Sequence, residues 1–214
     1  MNQPASAPRS FYPQLQQYLN EAVLLFDAIP SERKDDLSKV ADYVRGRLAD
    51  SQPAKLTFIC THNSRRSHLA QIWAHVAAEF YGLISVETFS GGTEATALNP
   101  RAVAAMQRTG LKITADDAEA TNPRYSVYTS ETASPQICFS KVFDSPPNPN
   151  SKYCAVMTCS QADDACPVVM GCDLRMPIRY EDPKVADDTD QEAERYDERS
   201  KQICCEMLYM MSLV

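Results

Sequence analysis

The chain has 214 residues, a formal net charge of −7 and eight cysteines. This length suits one domain with a substantial core, and an acidic chain without a broad basic face argues against nucleic-acid binding. No apolar stretch reaches membrane-spanning length and no basic, then apolar leader is present, so we expect no membrane association and a cytoplasmic location. In that compartment the cysteines indicate thiol or metal chemistry before structural disulfides.

The cysteines and histidines do not form a recognisable metal site. The sequence contains no C-x2-C pair, and the histidines, His62, His68 and His75, all lie in one short stretch. A closed zinc site needs such ligands at suitable spacing. We therefore predict no metal and no cofactor.

Two helices are predicted at the N-terminus. Apolar residues recur at helical spacing over residues 12–29, and Pro30 ends that run. Ser31 is suited to cap a second amphipathic helix that ends near residue 50. Neither helix carries an obvious chemical residue, so we interpret residues 1–52 as a helical extension and residues 53–214 as the catalytic domain.

A short loop between a strand and a helix is the most informative part of the sequence. Residues 55–59 are β-branched and aromatic, and apolar residues recur at helical spacing over residues 69–80. The first turn of a helix has unpartnered amide N–H groups, and a curved loop before it turns more amides inward. We predict that the loop binds an oxyanion through Thr61, His62, Asn63, Ser64, Arg65, Arg66 and Ser67.

Cys60 and Arg66 are the predicted nucleophile and anion-binding side chain of this loop. The amide dipoles and Arg66 favour the thiolate of Cys60. Arg66 can donate two parallel hydrogen bonds to a tetrahedral oxyanion, and Ser67 is placed to donate to the sulfur. The alternative is an inert cysteine at the end of a buried strand. The conjunction of strand, turn-forming residues and helix disfavours it.

The remaining elements predict an α/β fold. A second strand is expected over residues 83–89, a helix from Asn99-Pro100 to Gly110, and a hairpin over residues 126–143. A buried strand over 153–158, a last strand over 175–180 and an acidic helix over 187–211 follow. We predict a three-layer sandwich around a mostly parallel four-stranded sheet, with the N-terminal helical extension and an inserted β-hairpin.

Two further cysteines and one aspartate extend the predicted chemistry. Cys159 follows a buried strand, so it should reach the same carboxyl-end rim as Cys60. If the bound anion is arsenate, a second thiol can attack the Cys60 sulfur and release arsenite, and a third thiol can move the disulfide outward. Cys159 and Cys166 are spaced for that exchange if the polar segment between them flexes. Asp182 is placed to protonate a leaving oxygen.

The motifs resemble those of the thioredoxin-coupled arsenate reductases, a branch of the low-molecular-weight tyrosine phosphatase fold. The resemblance covers about residues 55–211 and rests on the 60–67 loop, on Cys159-x6-Cys166-Pro167 and on Asp182-Pro183. It implies that Cys60 is the nucleophile, that Cys159 attacks it, and that Cys166 resolves the disulfide. The implied substrate is arsenate, with phosphate or sulfate as analogue anions. The implied partner is thioredoxin or a similar thiol reductant.

The sequence also departs from the family pattern. His62 replaces the family's usual glycine, and Arg65 replaces a frequent cysteine. Gln71 stands where an acidic residue of a potassium site is common, which argues against potassium dependence.

Three alternatives accompany the arsenate reductase hypothesis. The first is a low-molecular-weight tyrosine phosphatase that uses only Cys60, Arg66 and Asp182. The second is a non-catalytic protein that binds As(III) or another soft metal through its thiolates, or a regulatory protein. The third concerns one role only, with Cys172 in place of Cys166 as the resolving thiol.

Overall fold

The structure, a computed structural model, describes residues 11–165 and 168–214. The helices are α1 Pro13–Val23, α2 Ser31–Ala49, α3 Arg66–Phe80, α4 Pro100–Arg108, α5 Ser160–Ala165 and α6 Glu192–Ser212. The strands are β1 Ala54–Cys60, β2 Val86–Gly92, β3 Lys112–Ala115, β4 Tyr125–Tyr128, β5 Gln136–Cys138, β6 Tyr153–Met157 and β7 Cys172–Pro177. Short 3-10 turns cover Phe26–Ala28 and Pro183–Ala186. The predicted resolving thiol, Cys166, lies outside the described residues.

The main sheet is parallel and has the strand order β2-β1-β6-β7. Ile59 on β1 lies beside Gly91 on β2 and Met157 on β6. The carboxyl ends of these three strands therefore meet at one edge of the sheet. Cys60 ends β1 at that edge, and Cys159 follows β6 by two residues.

The two faces of the sheet bury separate groups of side chains, because successive residues of a strand point to opposite faces. Leu56 and Phe58 belong to the larger core, which also contains buried residues of α2, α3 and α6. Ile59 and Met157 belong to a smaller cluster that includes Ala162 of α5 and both Cys60 and Cys159. The predicted three-layer α/β architecture is confirmed, with helices on both faces.

The N-terminal helices share the larger core with the rest of the chain. α1 packs on α6, and α2 packs on α6, β1 and β7. The Tyr18 ring of α1 stacks on Trp73 of α3 with the ring centroids 5.5 Å apart. The domain boundary at residue 52 stays a prediction. Within the described part of the chain, no helix has the length and apolar character needed to cross a bilayer.

The predicted hairpin is part of a second, antiparallel sheet. β4 and β5 form the hairpin, and β3 adds a third strand beside β4. β5 ends at Cys138, earlier than the predicted residue 143. The following residues leave this sheet because their backbone bonds elsewhere: Gly92 N–H donates to Lys141 O, and Phe143 N–H donates to Gly92 O, both at 2.9 Å.

Other segments also differ from the sequence prediction: β2 covers Val86–Gly92 and not residues 83–89, and α6 begins at Glu192 and not at residue 187. The polar segment after Cys159, for which the sequence predicted no helix or strand, forms the short helix α5. β7 begins at Cys172 and ends at Pro177, whereas the prediction placed the last strand over residues 175–180. Residues 178–182 instead form a connection that passes beside the 60–67 loop, as described below.

Candidate functional site

The carbonyl groups of the loop are held by the segment 93–99. Five hydrogen bonds join the two: Thr93 N–H to Cys60 O (3.1 Å), Thr93 Oγ1 to Thr61 O (3.2 Å), Glu94 N–H to Thr61 O (2.8 Å), Thr96 Oγ1 to His62 O (2.9 Å) and Asn99 N–H to Ser64 O (2.9 Å). The N–H and C=O of a trans peptide point in opposite directions. Carbonyls turned toward 93–99 therefore leave amide N–H groups facing the other side, which is the arrangement of an anion-binding concavity.

Asn63 organises the loop from within. It is fully buried and has φ +44°, a left-handed conformation that asparagine tolerates better than most residues. Its side-chain oxygen accepts from Lys141 N–H, and its Nδ2 donates to Ser67 Oγ, both at 2.9 Å. Because Ser67 Oγ accepts this bond, its hydroxyl hydrogen is available to the Cys60 sulfur 3.0 Å away. This donation stabilises a thiolate at Cys60.

Gly92 allows the loop to approach the end of β2. A Cβ at this position would lie 2.6 Å from Thr61 O and 2.7 Å from Asn63 N. Glu94 O would be nearer still, so a side chain here would displace the backbone of the loop or of the segment 93–99 that holds it. The sequence around Gly91-Gly92 predicts a turn after the strand, whereas the structure places both glycines at the end of β2.

Arg66 lies at the start of α3 and is held beside Asp182. Its Nη1 donates to Tyr180 O at 3.1 Å, and its Nη2 lies 2.8 Å from Asp182 Oδ2. Asp182 also accepts from Lys184 N–H at 3.1 Å, which fixes the carboxylate at the start of the 3-10 turn Pro183–Ala186. The structure thus brings the predicted anion-binding arginine and the predicted acid together.

The side chain of Arg65 faces the segment 182–187. Its Nε donates to Tyr196 OH at 2.8 Å, and its Nη2 donates to Asp187 at 3.4 Å. Tyr196 in turn donates to Asp187 at 2.8 Å. Burial and the contact with Asp187 raise the pKa of Tyr196 to about 12, so the hydroxyl keeps its proton at neutral pH. Arg65 therefore links the segment 182–187 to the 60–67 loop through its hydrogen bonds to Tyr196 and Asp187.

Cys159 lies at the same rim as the loop. It is fully buried, and its Sγ is 3.6 Å from Thr61 Oγ1. The same sulfur accepts from Ala162 N–H at 3.4 Å, so it caps the first turn of α5. A thiolate is stabilised in both contacts, because a hydroxyl and an amide can donate to it.

The other described cysteines are less suited to thiolate chemistry. Burial raises their thiol pKa values, to about 12 for Cys138 and about 11 for Cys205; the pKa is also raised at Cys154, Cys172 and Cys204. Protonated thiols are poor nucleophiles. Cys172 pairs with Tyr153 at the beginning of β6. Tyr153 lies five residues before Thr158 along β6. Cys172 is therefore roughly 16 Å, measured along the strand, from the carboxyl edge of the sheet where Cys159 lies.

The histidines near the loop do not form a metal or proton-transfer site. His62 is exposed and contributes its carbonyl to Thr96 and Ser140. His68 is buried, with Nδ1 3.2 Å from Ser90 Oγ, and burial lowers its pKa to about 3. Among residues 11–165 and 168–214, no three His, Cys, Asp or Glu side chains are grouped to hold a metal ion.

Gln71 occupies the position that prompted the potassium prediction. It is buried, and its Nε2 donates to Thr88 O at 3.3 Å. The amide thus supplies a neutral hydrogen bond to β2 at this position.

Comparison with known proteins adds family relationships to this geometry. The profile of the family described as "Low molecular weight phosphotyrosine protein phosphatase" matches residues 55–125. An arsenate reductase of Bacillus licheniformis is 30% identical over 137 residues, which are 63% of this chain and 78% of the relative. An arsenate reductase of Bacillus subtilis has the same identity and the same coverage. The solved low molecular weight phosphotyrosine phosphatase of Vibrio cholerae covers 74% of this chain and 95% of its own, with 14% identity and a TM-score of 0.49.

Proposed function

Since the chain belongs to the arsenate reductase family, we propose that it reduces arsenate to arsenite with electrons from thioredoxin or a similar thiol reductant. Cys60 is the nucleophile, Cys159 the second thiol and Cys166 the resolving thiol of this proposal.

The oxyanion loop and Arg66 support the first step. Loop amides and the guanidinium bind the arsenate oxygens, and the Cys60 thiolate attacks arsenic while one oxygen leaves as water. Asp182 is 2.8 Å from Arg66 at the mouth of the loop, and we propose that it donates the proton to that oxygen. Binding phosphate or sulfate in place of arsenate requires the same tetrahedral geometry, so these anions should act as analogues.

The single observation that carries the proposal is the position of Cys159. Its sulfur lies against Thr61, the residue next to the nucleophile, at the rim shared by β1 and β6. In the second step the Cys159 thiolate attacks the Cys60 sulfur. The electron pair of the S–As bond stays with arsenic, As(V) becomes As(III), and a Cys60–Cys159 disulfide remains. A phosphatase has no use for a second thiol at this place.

The third step moves the disulfide outward. The Cys166 thiolate attacks the Cys159 sulfur, a new S–S bond forms, and Cys60 leaves as a thiolate. Six helical residues follow Cys159, and each advances the chain by about 1.5 Å along the helix axis. A disulfide needs Cα atoms within roughly 4.4–6.8 Å. We therefore expect α5 to unwind when Cys159 pairs with Cys166.

Replacement of the second thiol tests this function. Cys159→Ser should lower arsenate turnover with thioredoxin, thioredoxin reductase and NADPH by at least about 10³-fold, because Cys60 then has no thiol to discharge it. Hydrolysis of p-nitrophenyl phosphate, which needs only the first half of the site, should change by less than about threefold.

Cys172→Ser is the matched control for this experiment, because it removes a thiol that packs against the same apolar cluster as Cys159, although Cys172 is only partly buried. It should leave arsenate turnover near the wild-type value. An arsenate reductase activity that survives Cys159→Ser but is lost in Cys172→Ser would overturn the assignment.

A phosphatase activity is the second candidate function. The loop, Arg66 and Asp182 are complete without any further thiol, so they support attack on a phosphate ester and hydrolysis of the adduct. A phosphatase as the sole activity predicts no arsenite above background when thioredoxin, its reductase and NADPH are supplied.

A further inference from the structure

Asp163 is a buried carboxylate with no part in the steps above. It lies in the second half of α5, and its exposed fraction is 6%. Arg175 Nη2 donates to its backbone carbonyl at 2.7 Å and also to its carboxylate. Arg179 Nε donates to the other carboxylate oxygen at 2.7 Å, and Arg179 Nη2 contacts the same oxygen. We call these three residues the Asp163 cluster.

The Asp163 cluster joins α5 to the two segments beside it. Arg175 belongs to β7, and Arg179 lies in the connection that leads to Asp182. The backbone carbonyl of Arg179 accepts from Arg33 of α2 at 2.6 Å, so this connection is itself held in place. Ion pairs therefore join α5 to β7 and to the connection before Asp182. Neither of these needs to move in the proposed thiol exchange.

The rest of the α5 anchoring is weak. A helix of six residues is not stable by itself in water. The Cys159 sulfur caps its first turn, and Asp163 N–H donates to Cys159 O at 3.1 Å. Ala162 adds one fully buried apolar side chain. When Cys159 forms a disulfide with Cys60, its sulfur is no longer a thiolate acceptor, and the Asp163 cluster becomes the principal polar attachment of the helix.

We propose that Asp163 is a positioning residue of the thiol relay. Paired with Arg175 and Arg179, it keeps α5 folded in the dithiol enzyme, which places Cys159 against the loop, and its pairs break when α5 unwinds for exchange with Cys166. This proposal rests on the proposed function for the role of the opening. The folded state of α5 is a property of the reduced protein alone, so the proposal can be tested without any turnover.

Hydrogen exchange of the reduced, full-length protein measures the opening directly. Asp163→Asn should speed exchange of the amides in residues 160–165 roughly ten- to a hundredfold, because the charge pairs that Asp163 makes with Arg175 and Arg179 are lost. Asp164→Asn is the matched control: it removes the same charge from the neighbouring, exposed position of the same helix. Exchange in this control should stay within about twofold of wild type.

A second variant reaches the cluster from the other side. Arg179→Gln changes a side chain that is 52% exposed, so folding should tolerate it, and it should speed exchange in the same direction by a smaller factor. Unchanged exchange in both Asp163→Asn and Arg179→Gln, or equal acceleration in Asp164→Asn, would overturn the proposal.

The redox midpoint potential of the Cys159–Cys166 pair is the second readout. Loss of the cluster destabilises only the folded dithiol state, so the disulfide becomes relatively more stable and the midpoint potential of Asp163→Asn should become more negative. Each tenfold change in the equilibrium corresponds to about 30 mV for a two-electron couple. A potential equal to wild type would contradict the proposal. If Cys159→Ser retains full arsenate turnover, the proposed function is wrong. The hydrogen-exchange measurement on Asp163→Asn still tests separately whether Asp163 keeps α5 folded.

Discussion

The two thiol-bearing segments at the carboxyl edge of the sheet are built in different ways. The 60–67 loop has contacts along its whole length. Residues 93–99 bind its carbonyl groups, Asn63 makes hydrogen bonds inside it, and Arg66 at its far end contacts Asp182. The segment that follows Cys159 is a helix of six residues, attached through the Cys159 sulfur, one buried alanine and the Asp163 cluster.

The many contacts of the loop and the few contacts of the Cys159 segment agree with the roles that the proposed reaction gives to each. A site that stabilises developing charge works best when its donors are already in place before the reaction. A thiol that first attacks one sulfur and then exchanges with another must change its position. A substitution in the loop should therefore impair phosphate ester hydrolysis and arsenate reduction together, whereas a substitution in the Cys159 segment should impair reduction alone.

The largest effect on both reactions is expected from Arg66→Lys. Lysine keeps the charge but loses the fork that contacts Tyr180 O and Asp182, so both activities should fall by about 10²–10³-fold. Steady-state rates with arsenate and with p-nitrophenyl phosphate give the two values. Arg45→Lys, an exposed arginine of α2 that pairs with Asp42, should change neither. Loss of arsenate turnover alone would contradict the shared role of the loop.

A smaller shared effect is expected from Gly92→Ala. The new Cβ would meet two backbone atoms of the loop, so we expect both activities to fall by about tenfold and the free energy of unfolding to fall by roughly 1–3 kcal/mol. Denaturant titration measures the stability. Gly46→Ala is the matched control, because no atom lies within 4 Å of its Cβ and it sits inside α2.

That control should be stabilised by about 0.5–1 kcal/mol, since alanine favours a helix interior. Equal behaviour of the two alanine variants would show that the close approach at Gly92 is not what shapes the loop.

The last expected effect is on stability alone and concerns pH and the buried histidine next to the loop. The pKa of His68 is lowered to about 3 in the fold, whereas an unfolded histidine titrates near 6.5. Between these values the unfolded chain binds the proton and the folded chain does not. The free energy of unfolding should therefore fall as the pH drops below about 6.5, by up to about 1.4 kcal/mol for each pH unit.

A substitution isolates this contribution. His68→Gln should reduce the slope of stability against pH in this range, as followed by urea titrations from pH 7 to pH 4. Identical slopes in wild type and His68→Gln would contradict the assignment of a neutral, buried His68.

The main sheet and the loop followed from local patterns in the sequence. The apolar run before Cys60, the helical spacing after Ser67 and the pair Asn99-Pro100 each act over a few residues, so they predict β1, α3 and α4 without knowledge of the rest. Asn99 indeed caps α4, with its side chain accepting from Arg101 N–H at 2.9 Å.

The features that the sequence did not predict depend on distant partners. α5 has no apolar periodicity, and it is held by arginines 12 and 16 residues away from Asp163. The contact between Asn63 and Lys141 spans 78 residues. Gly92 matters because of what lies opposite it in space. A pattern within one segment carries no information of this kind. Within its own segment the Gly-Gly pair indicates only a turn, and Arg175 and Arg179 carry no recognisable signal.

The contrast between the two segments is tested most directly by mapping the disulfide formed after one arsenate turnover. The reduced enzyme is mixed with one equivalent of arsenate in the absence of thioredoxin, quenched with acid, alkylated and examined by mass spectrometry of its peptides. We predict a Cys159–Cys166 disulfide with Cys60 alkylated as a free thiol. A disulfide that retains Cys60, or one that joins Cys159 to Cys172, would contradict the proposed relay.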